Sequence, residues 1–325
     1  MHVTLLLAGA LIPKELSTAI TDSLSIPNLQ ARLTRTTLTV DPALRSDTGD
    51  AHLDWLAFEM FGRTPAPTAP YAYAQLASEA SHEFLWHADP VHFEIARDHL
   101  LLRELTDHFP NAIESVQLMQ AANSLMSDSG CQLINAGDHW FLRCDDGWDI
   151  NTQPLAATSG VPIQLPTGAD SHIWNRLHNE IQMMWHAHPV NQSREQRQLP
   201  AVNGIWLHGG GRWQPLSATR YTQVCADAPE WQGAAQAAGA RAAPSQSEMI
   251  DGSLLVLDEP NLARKSSDWS SWSQAMTVVD QRLAAHSQDS IDLIVCGATV
   301  RTFQSRLFDR FIPWRRRGVA EALAE

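Results

Sequence analysis

The sequence predicts an α/β protein: a core with a mostly parallel sheet and helices on both faces, plus an inserted α+β domain. Three apolar runs carry the first half of this reading. Val3–Ala8 ends in Gly9, Ser253–Leu257 ends in Asp258-Glu259-Pro260, and Ile291–Cys296 ends in Gly297. Continuous apolar runs closed by turn residues are the pattern of strands buried on both faces. The second half rests on the middle of the chain, where alternating helices and strands give way to hairpin-like segments. The two ends therefore form a discontinuous core, expected at residues 1–82 and 241–325, around an insertion at residues 83–240.

The elements follow in order. Pro13 sets the start of a helix over Lys14–Thr21. Arg32 and Arg35 fall in a polar, Thr-rich stretch expected to be a loop, and His52–Phe61 places Leu53, Leu56, Ala57 and Met60 on one helical face. Gly62–Pro70 is a Pro-rich turn at an edge of the first unit. From His82 to Leu105, two apolar runs broken by Asp89-Pro90 read as strands; His92, Asp98 and His99 lie here. A helix is expected from Asn111 to Met126, with Ile113, Val116, Met119, Ala122 and Leu125 inward. Cys131–Ile134 and His139–Arg143 flank Asn135-Ala136-Gly137-Asp138, the composition of a hairpin turn. Ala234–Ser247 reads as a linker or surface helix, Trp272–Ala285 as a helix, and Phe303–Trp314 as a segment leading into Arg315–Arg317, a solvated basic face.

Composition excludes several function classes. With 23 basic and 36 acidic residues the net charge is −13, which argues against a general nucleic-acid or anionic-membrane partner, since both require concentrated positive surface. The opening run has no Lys or Arg before it and meets Pro13-Lys14 too soon to be a secretory or spanning segment. Cys131, Cys144, Cys225 and Cys296 lack CxxC spacing, so neither a zinc site nor a disulfide framework is indicated, and a cytoplasmic location is expected.

The stretch Asp170–Arg212 concentrates the candidates for ligand binding. A helix runs to His188-Pro189, where proline stops it, and a charged loop carries Arg194 and Arg197. The strand Gly204–Leu207 follows, then a turn of Gly209, Gly210 and Gly211 beside Arg212. His188 and Asn191 are placed to contact a phosphate or carboxylate, or to cap the helix exit. Arg194 and Arg212 carry guanidinium forks that match anion geometry. Asn203, Trp206, Gly209 and Gly211 complete the expected wall, with Trp206 read as a core anchor and the glycines as a tight turn or a phosphate cradle. The histidines at 172, 178, 186 and 188 lack metal-site spacing, and Met183, Met184 and Trp185 read as core.

Four blocks in this order, ADPVHF at Ala88–Phe93, QLPTG at Gln164–Gly168, HPVNQSR at His188–Arg194 and PAVNGIWLHGGGR at Pro200–Arg212, resemble the RpfE-type regulatory proteins of proteobacteria. They are similar in turn to the inserted domain of the archaeal-type cofactor-independent phosphoglycerate mutases of the alkaline phosphatase superfamily. The resemblance implies an alkaline-phosphatase-like core and, in active members, two divalent metals with a Ser or Thr nucleophile. Ser46 in Arg45-Ser46-Asp47 is the candidate nucleophile on that basis. Asp258 and Glu259 stand as a remnant of a metal-ligand cluster whose His is missing from Asp258–Leu262. Where the family places an Asp ligand after the first strand this chain has Ala8-Gly9-Ala10, and Cys296-Gly297-Ala298-Thr299 replaces an Asp-His cluster. The resemblance thus implies a catalytically degenerate relative with a regulatory or small-anion-binding role, needing no cofactor, with a small anionic metabolite or a protein as partner. The alternative is an active mutase or phosphohydrolase using manganese or zinc in a rearranged site.

Overall fold

Leu5, Leu6 and Leu7 are each no more than 2% exposed, so the first apolar run is a strand covered on both faces. The computed structural model describes residues 1–46, 50–96, 99–160, 162–284, 286, 290–304 and 317–325, without the side chains of Arg35 and Pro42. Up to the hairpin, the elements are β1 (His2–Leu7), α1 (Lys14–Thr21), α2 (Pro27–Arg35), β2 (Thr37–Arg45), α3 (Ala51–Phe61), α4 (Ala69–Ala77), β3 (Phe84–Ala96), β4 (His99–Glu104), α5 (Ala112–Leu125), β5 (Cys131–Ala136) and β6 (His139–Cys144). There follow α6 (Leu155–Thr158), α7 (Ser171–His186), α8 (Pro189–Gln196), β7 (Gly204–Arg212), β8 (Gln223–Cys225), α9 (Pro229–Ala237) and β9 (Arg241–Ala243). The last elements are β10 (Ser253–Leu257), α10 (Glu259–Lys265), α11 (Trp269–Ala284), β11 (Ser290–Cys296), β12 (Thr299–Gln304) and α12 (Val319–Leu323).

Two compact units result, Met1–Thr64 with Leu216–Glu325, and Pro65–Pro215. The divisions fall at 64/65, inside the Pro-rich turn, and at 215/216, against the expected 82/83 and 240/241. Local packing explains both differences. Helix α4 lies on β3 and β7 of the second unit, while β8, α9 and β9 extend the sheet of the first.

In the first unit the strand order is β2-β12-β11-β1-β10-β8-β9, with β11, β1, β10, β8 and β9 parallel and the β12 and β2 pairings antiparallel. Val3, Leu5 and Leu7 point into a core shared with Leu29, Leu33, Trp272, Met276 and Leu283 from α2 and α11. Helix α3 packs on β2, β12 and α9, and its Glu59 meets Arg220 beside Tyr221. The stretch with Arg32 is thus a helix and not a loop: Pro27 occupies its first turn, and Asp280 of α11 accepts from Leu29 N at 2.7 Å and from the Asn28 amide at 3.0 Å. Ala234–Ser247 is likewise no linker, because Ala234 and Ala235 of α9 are fully buried and β9 pairs with β8. The segment expected from Phe303 begins in β12, and residues 305–316, including Arg315 and Arg316, lie outside those described, as does Asp98.

The second unit is antiparallel, with strand order β4-β3-β6-β5 and β7 on the free side of β3. Asp89-Pro90 does not break β3. Residues 84–87 pair with β6 and residues 91–96 with β4, so the missing N–H of Pro90 falls where β3 changes partners, while β7 runs alongside residues 84–91. Helix α5 starts at a capping box formed by Asn111 and Glu114, and it buries Leu118, Met119 and Ala122 but leaves Ile113 and Val116 exposed. Its inner face is rotated from the expected one because Glu114 and Ser115 turn inward to make hydrogen bonds. Met183, expected in the core, is 77% exposed, and Trp185 beside it is fully buried.

Candidate functional site

Strands β1, β10 and β11 end together. Ala8 N donates to Leu257 O at 3.0 Å and Leu11 N to Cys296 O at 3.1 Å. Gly9 has φ +67°, and a Cβ there would lie 2.3 Å from Asn261 Cα, so the start of α10 rests directly on glycine backbone. Trp272 secures the same turn by donating its indole N–H to Gly9 O at 2.9 Å. The start of α3 is tied to this edge through Ala51 N to Gly297 O at 3.1 Å and Ser46 N to Ala298 O at 2.9 Å. The Ser46 hydroxyl accepts from Asp50 N at 3.2 Å. These bonds gather Ser46, Asp50, His52, Asp258, Asn261 and Lys265 at the carboxyl end of the parallel sheet, where ligands bind in open α/β folds.

Asp50 is the centre of this group. Its side chain is 1% exposed; Oδ1 accepts from the Asn261 amide at 2.9 Å and lies 3.1 Å from Lys265 Nζ. Asn261 and Lys265 stand one helical turn apart on α10, which is why both reach the same carboxylate. Oδ2 has no hydrogen-bond partner among the described residues, nor has His52 Nδ1. His52 is buried, and burial pulls its proton affinity down to about 4; the Asp50 charge opposes this and Lys265 and Arg264 reinforce it. It is neutral at pH 7, with Nε2 3.9 Å from Asp258 Oδ1. Half of the Asp258 side chain meets solvent, yet its carboxylate is crowded by protein and faces Glu230, Glu259, Asp227 and Asp50. Crowding first and these like charges second push its pKa up to about 7.

The donor set does not fit a divalent metal centre. Among the described residues no three His, Cys, Asp or Glu side chains converge. The Lys265 ammonium already pairs with Asp50 Oδ1, and Glu259 is exposed in the first turn of α10. Cys296 is fully buried, and burial followed by the Asp258 charge raises its thiol, which favours the protonated form over a thiolate ligand. The backbone beyond it is closed by Glu325, whose Oε1 accepts from Ala298 N at 2.6 Å.

No family model and no curated protein matches the chain. Its fold is similar to that of the PH0037 protein from Pyrococcus horikoshii. The TM-score is 0.58 at 11% identity, over 99% of this chain and 91% of that one. A cofactor-independent phosphoglycerate mutase from Thermoplasma acidophilum DSM 1728 is also similar, with a TM-score of 0.46 at 11% identity, over 100% of this chain and 95% of that chain.

The residues expected to line an anion site in the second unit are engaged with their own chain. His188 is the N-cap of α8, its Nδ1 accepting from Val190 N at 3.2 Å, and Pro189 begins that helix. The charged loop is therefore a helix, since proline suits the first turn as well as it stops the preceding one. Asn191 is buried; its amide donates to Trp185 O and Val202 O and its oxygen accepts from Val202 N. Arg194 is 1% exposed and donates to Pro200 O, Glu114 and His108 O, so it is a buried strut and not a loop arginine facing an anion. Asn203 brackets Phe93 through its N–H and C=O, and Trp206 is buried with its indole donating to Gln153 O at 2.9 Å.

The three glycines belong to β7 and form no turn. Register shifts opposite Leu85–His87, and Gly209 adopts φ +60° there. A Cβ at Gly209 would meet Thr68 Oγ1 at 2.1 Å, and one at Gly211 would meet Pro67 at 2.4 Å, so the glycines admit the segment before α4 and leave no cradle. Arg212 donates to His82 O and Asp145 O and lies over the Phe84 ring. Beside this bulge His208 bonds Asp89 at 2.7 Å and stacks on the buried His87 at 4.5 Å. Sequence spacing singled out neither this array nor Asp50, His52, Asn261 and Lys265. The i, i+4 pair in Asn261-Leu262-Ala263-Arg264-Lys265, directly after the flagged acids, was the available signal.

Proposed function

We propose that the chain is a catalytically degenerate, phosphoglycerate-mutase-like protein related to the RpfE-type regulators, acting in the cytoplasm by binding a partner and not by turnover. The observation that carries this reading is the Asp50–Lys265–Asn261 cluster. A lysine ammonium is ion-paired at the strand ends where the resemblance would place metal ligands, and an internal cation there neutralises the carboxylate that an incoming metal would need. Ser46 sits at the same edge, where His52 is turned to Asp258 and the surroundings are acidic. The same acidity disfavours a small phosphate or carboxylate at this edge. A protein partner is therefore favoured over a metabolite, and no metal or organic cofactor is required.

The test is metal content and turnover in one sample. Purified protein loaded with manganese or zinc, then desalted, is expected to retain none and to leave 3-phosphoglycerate unconverted. Retention of about two ions per chain with interconversion of 3- and 2-phosphoglycerate would establish the active-enzyme alternative instead. Calorimetry with phosphoglycerate and inorganic phosphate is expected to give no heat; heat abolished by Arg212→Ala would restore the small-anion role.

A further inference from the structure

Cys131 and Cys144 are thirteen residues apart in sequence and directly opposite in space. Gly137 and Asp138 make a two-residue turn, so Ala136–His139 is the first, hydrogen-bonded pair of the hairpin, and pairs alternate outward from it. Counting out to Cys131–Cys144 reaches a non-hydrogen-bonded site, and the bond from Asp145 N to Gly130 O at 3.0 Å flanks it as that pattern demands. Facing Cα atoms at such sites are about 4.5 Å apart and their side chains lean together. That separation falls within the roughly 4.4–6.8 Å that a disulfide spans. Here the two Sγ atoms lie 2.6 Å apart, with the thiols donating and accepting between themselves. Cys225 and Cys296, also buried, sit on different strands with no cysteine opposite either of them.

We propose that Cys131 and Cys144 form a redox-active dithiol that closes to a cross-strand disulfide by exchange with a low-molecular-weight disulfide. Cys131, at 9% exposure against 1% for Cys144, is the sulfur first reached. Its thiolate attacks one sulfur of the small disulfide, forming a mixed disulfide and releasing one small thiolate. The Cys144 thiolate then attacks the Cys131 sulfur and releases the second. Two protein thiols are oxidised, one small disulfide is reduced to two thiols, and two protons leave the protein. The hydrogen bond from Cys131, burial and the neighbouring Asp145 carboxylate raise the Cys144 thiol, so closure is slow at neutral pH and faster in alkali. The bond pins the open end of the β5–β6 hairpin, where Gly130 and Asp145 already hold it.

The experiment uses the full chain and oxidised glutathione. After incubation at a series of reduced-to-oxidised ratios, samples are acid-quenched, alkylated in denaturant and digested with trypsin, which cuts after Arg143 and separates the two cysteines unless they are joined. The expected result is an intact mass lower by two hydrogens, a linked pair of peptides carrying Cys131 and Cys144, and full alkylation of Cys225 and Cys296. The oxidised chain should also melt several degrees higher, a shift reversed by dithiothreitol and missing in Cys131→Ser. Alkylation of both cysteines at every ratio, or a glutathione adduct on Cys131 that Cys144 fails to displace, would overturn the proposal. The mass readout needs only the natural chain, so it decides the matter even if Cys131→Ser fails to fold.

Discussion

Replacing Arg194 by Met separates a structural strut from a ligand-binding arginine. Arg194 donates to Pro200 O at 2.8 Å and to Glu114 Oε2 at 2.9 Å, and it also reaches His108 O, from a side chain 1% exposed. Methionine fills much of the stem volume and removes all three bonds. Loss of one partner from a buried ion pair costs about 3–5 kcal/mol. Glu114 is not orphaned, however: burial raises its proton affinity, but Arg197, the Asn111 backbone and Arg194 together outweigh that and hold it below the usual carboxylate range. With Arg197 and Asn111 retained, the loss belongs near the lower bound, about 3 kcal/mol. Urea unfolding followed by tryptophan fluorescence is the assay. Trp140, Trp174 and Trp185 of the second unit are all buried, so its unfolding changes their emission. At an m-value of roughly 2 kcal/mol/M the midpoint should fall by about 1.5 M. A midpoint unchanged within about 0.3 M, combined with loss of phosphate binding, would refute the structural role and return Arg194 to a ligand site.

Three further outcomes follow from the same geometry. Lys265→Met strands the buried Asp50 carboxylate and should cost about 2–4 kcal/mol, while adding Asp50→Asn should recover most of it; purely additive losses in thermal or urea melts would exclude the ion pair. Gly9→Ala combines a left-handed backbone with a Cβ 2.3 Å from Asn261 Cα and should cost about 2–5 kcal/mol, so a melt within about 1 kcal/mol of the natural chain would contradict the close approach. Between pH 4 and 6.5 His52 and His178, both held near 4 against 6.5 when unfolded, bind fewer protons folded than unfolded, so stability rises with pH and is lost on acidification. Asp258, raised from 3.8 to about 7, acts with the opposite sign over that range and up to 7. Urea midpoints against pH should therefore climb more steeply in Asp258→Asn and reach a higher plateau above pH 7.

Burial patterns were legible where the signal is local, and partners were not. The runs at Val3, Ser253 and Ile291 fixed three neighbouring parallel strands, because a strand covered on both faces must be apolar at every position. The polar, Thr-rich stretch with Arg32 and Arg35 reads as a loop, yet it belongs to a helix whose first turn is capped by Asp280, 251 residues away from Leu29. The HPVN segment shows the same limit from the other side. Its polar residues looked free to bind a ligand, yet Asn191 serves Trp185 and Val202, and Arg194 serves Glu114 on α5. A buried polar residue leaves no mark on periodicity, since a solvated or ligand-facing Arg has the same spacing as one locked in an ion pair.

The strand ends show why small residues are easier to see in sequence than the contacts that require them. Gly9 and Gly297 are there for contact: Gly9 beneath Asn261, and Gly297 against Leu11 and Glu325. Once α10 rests on Gly9, Asn261 and Lys265 are carried onto Asp50, and the buried carboxylate is neutralised by the fold itself. An arrangement of this kind works against introducing a metal ligand one residue at a time. Gly9→Asp would drive its Cβ into the backbone of α10 before it could offer an oxygen, and removing Lys265 first would leave Asp50 uncompensated. Asp227, Glu230, Asp258 and Glu259 form an acidic edge beside it, and this is the surface that the proposed binding role would use.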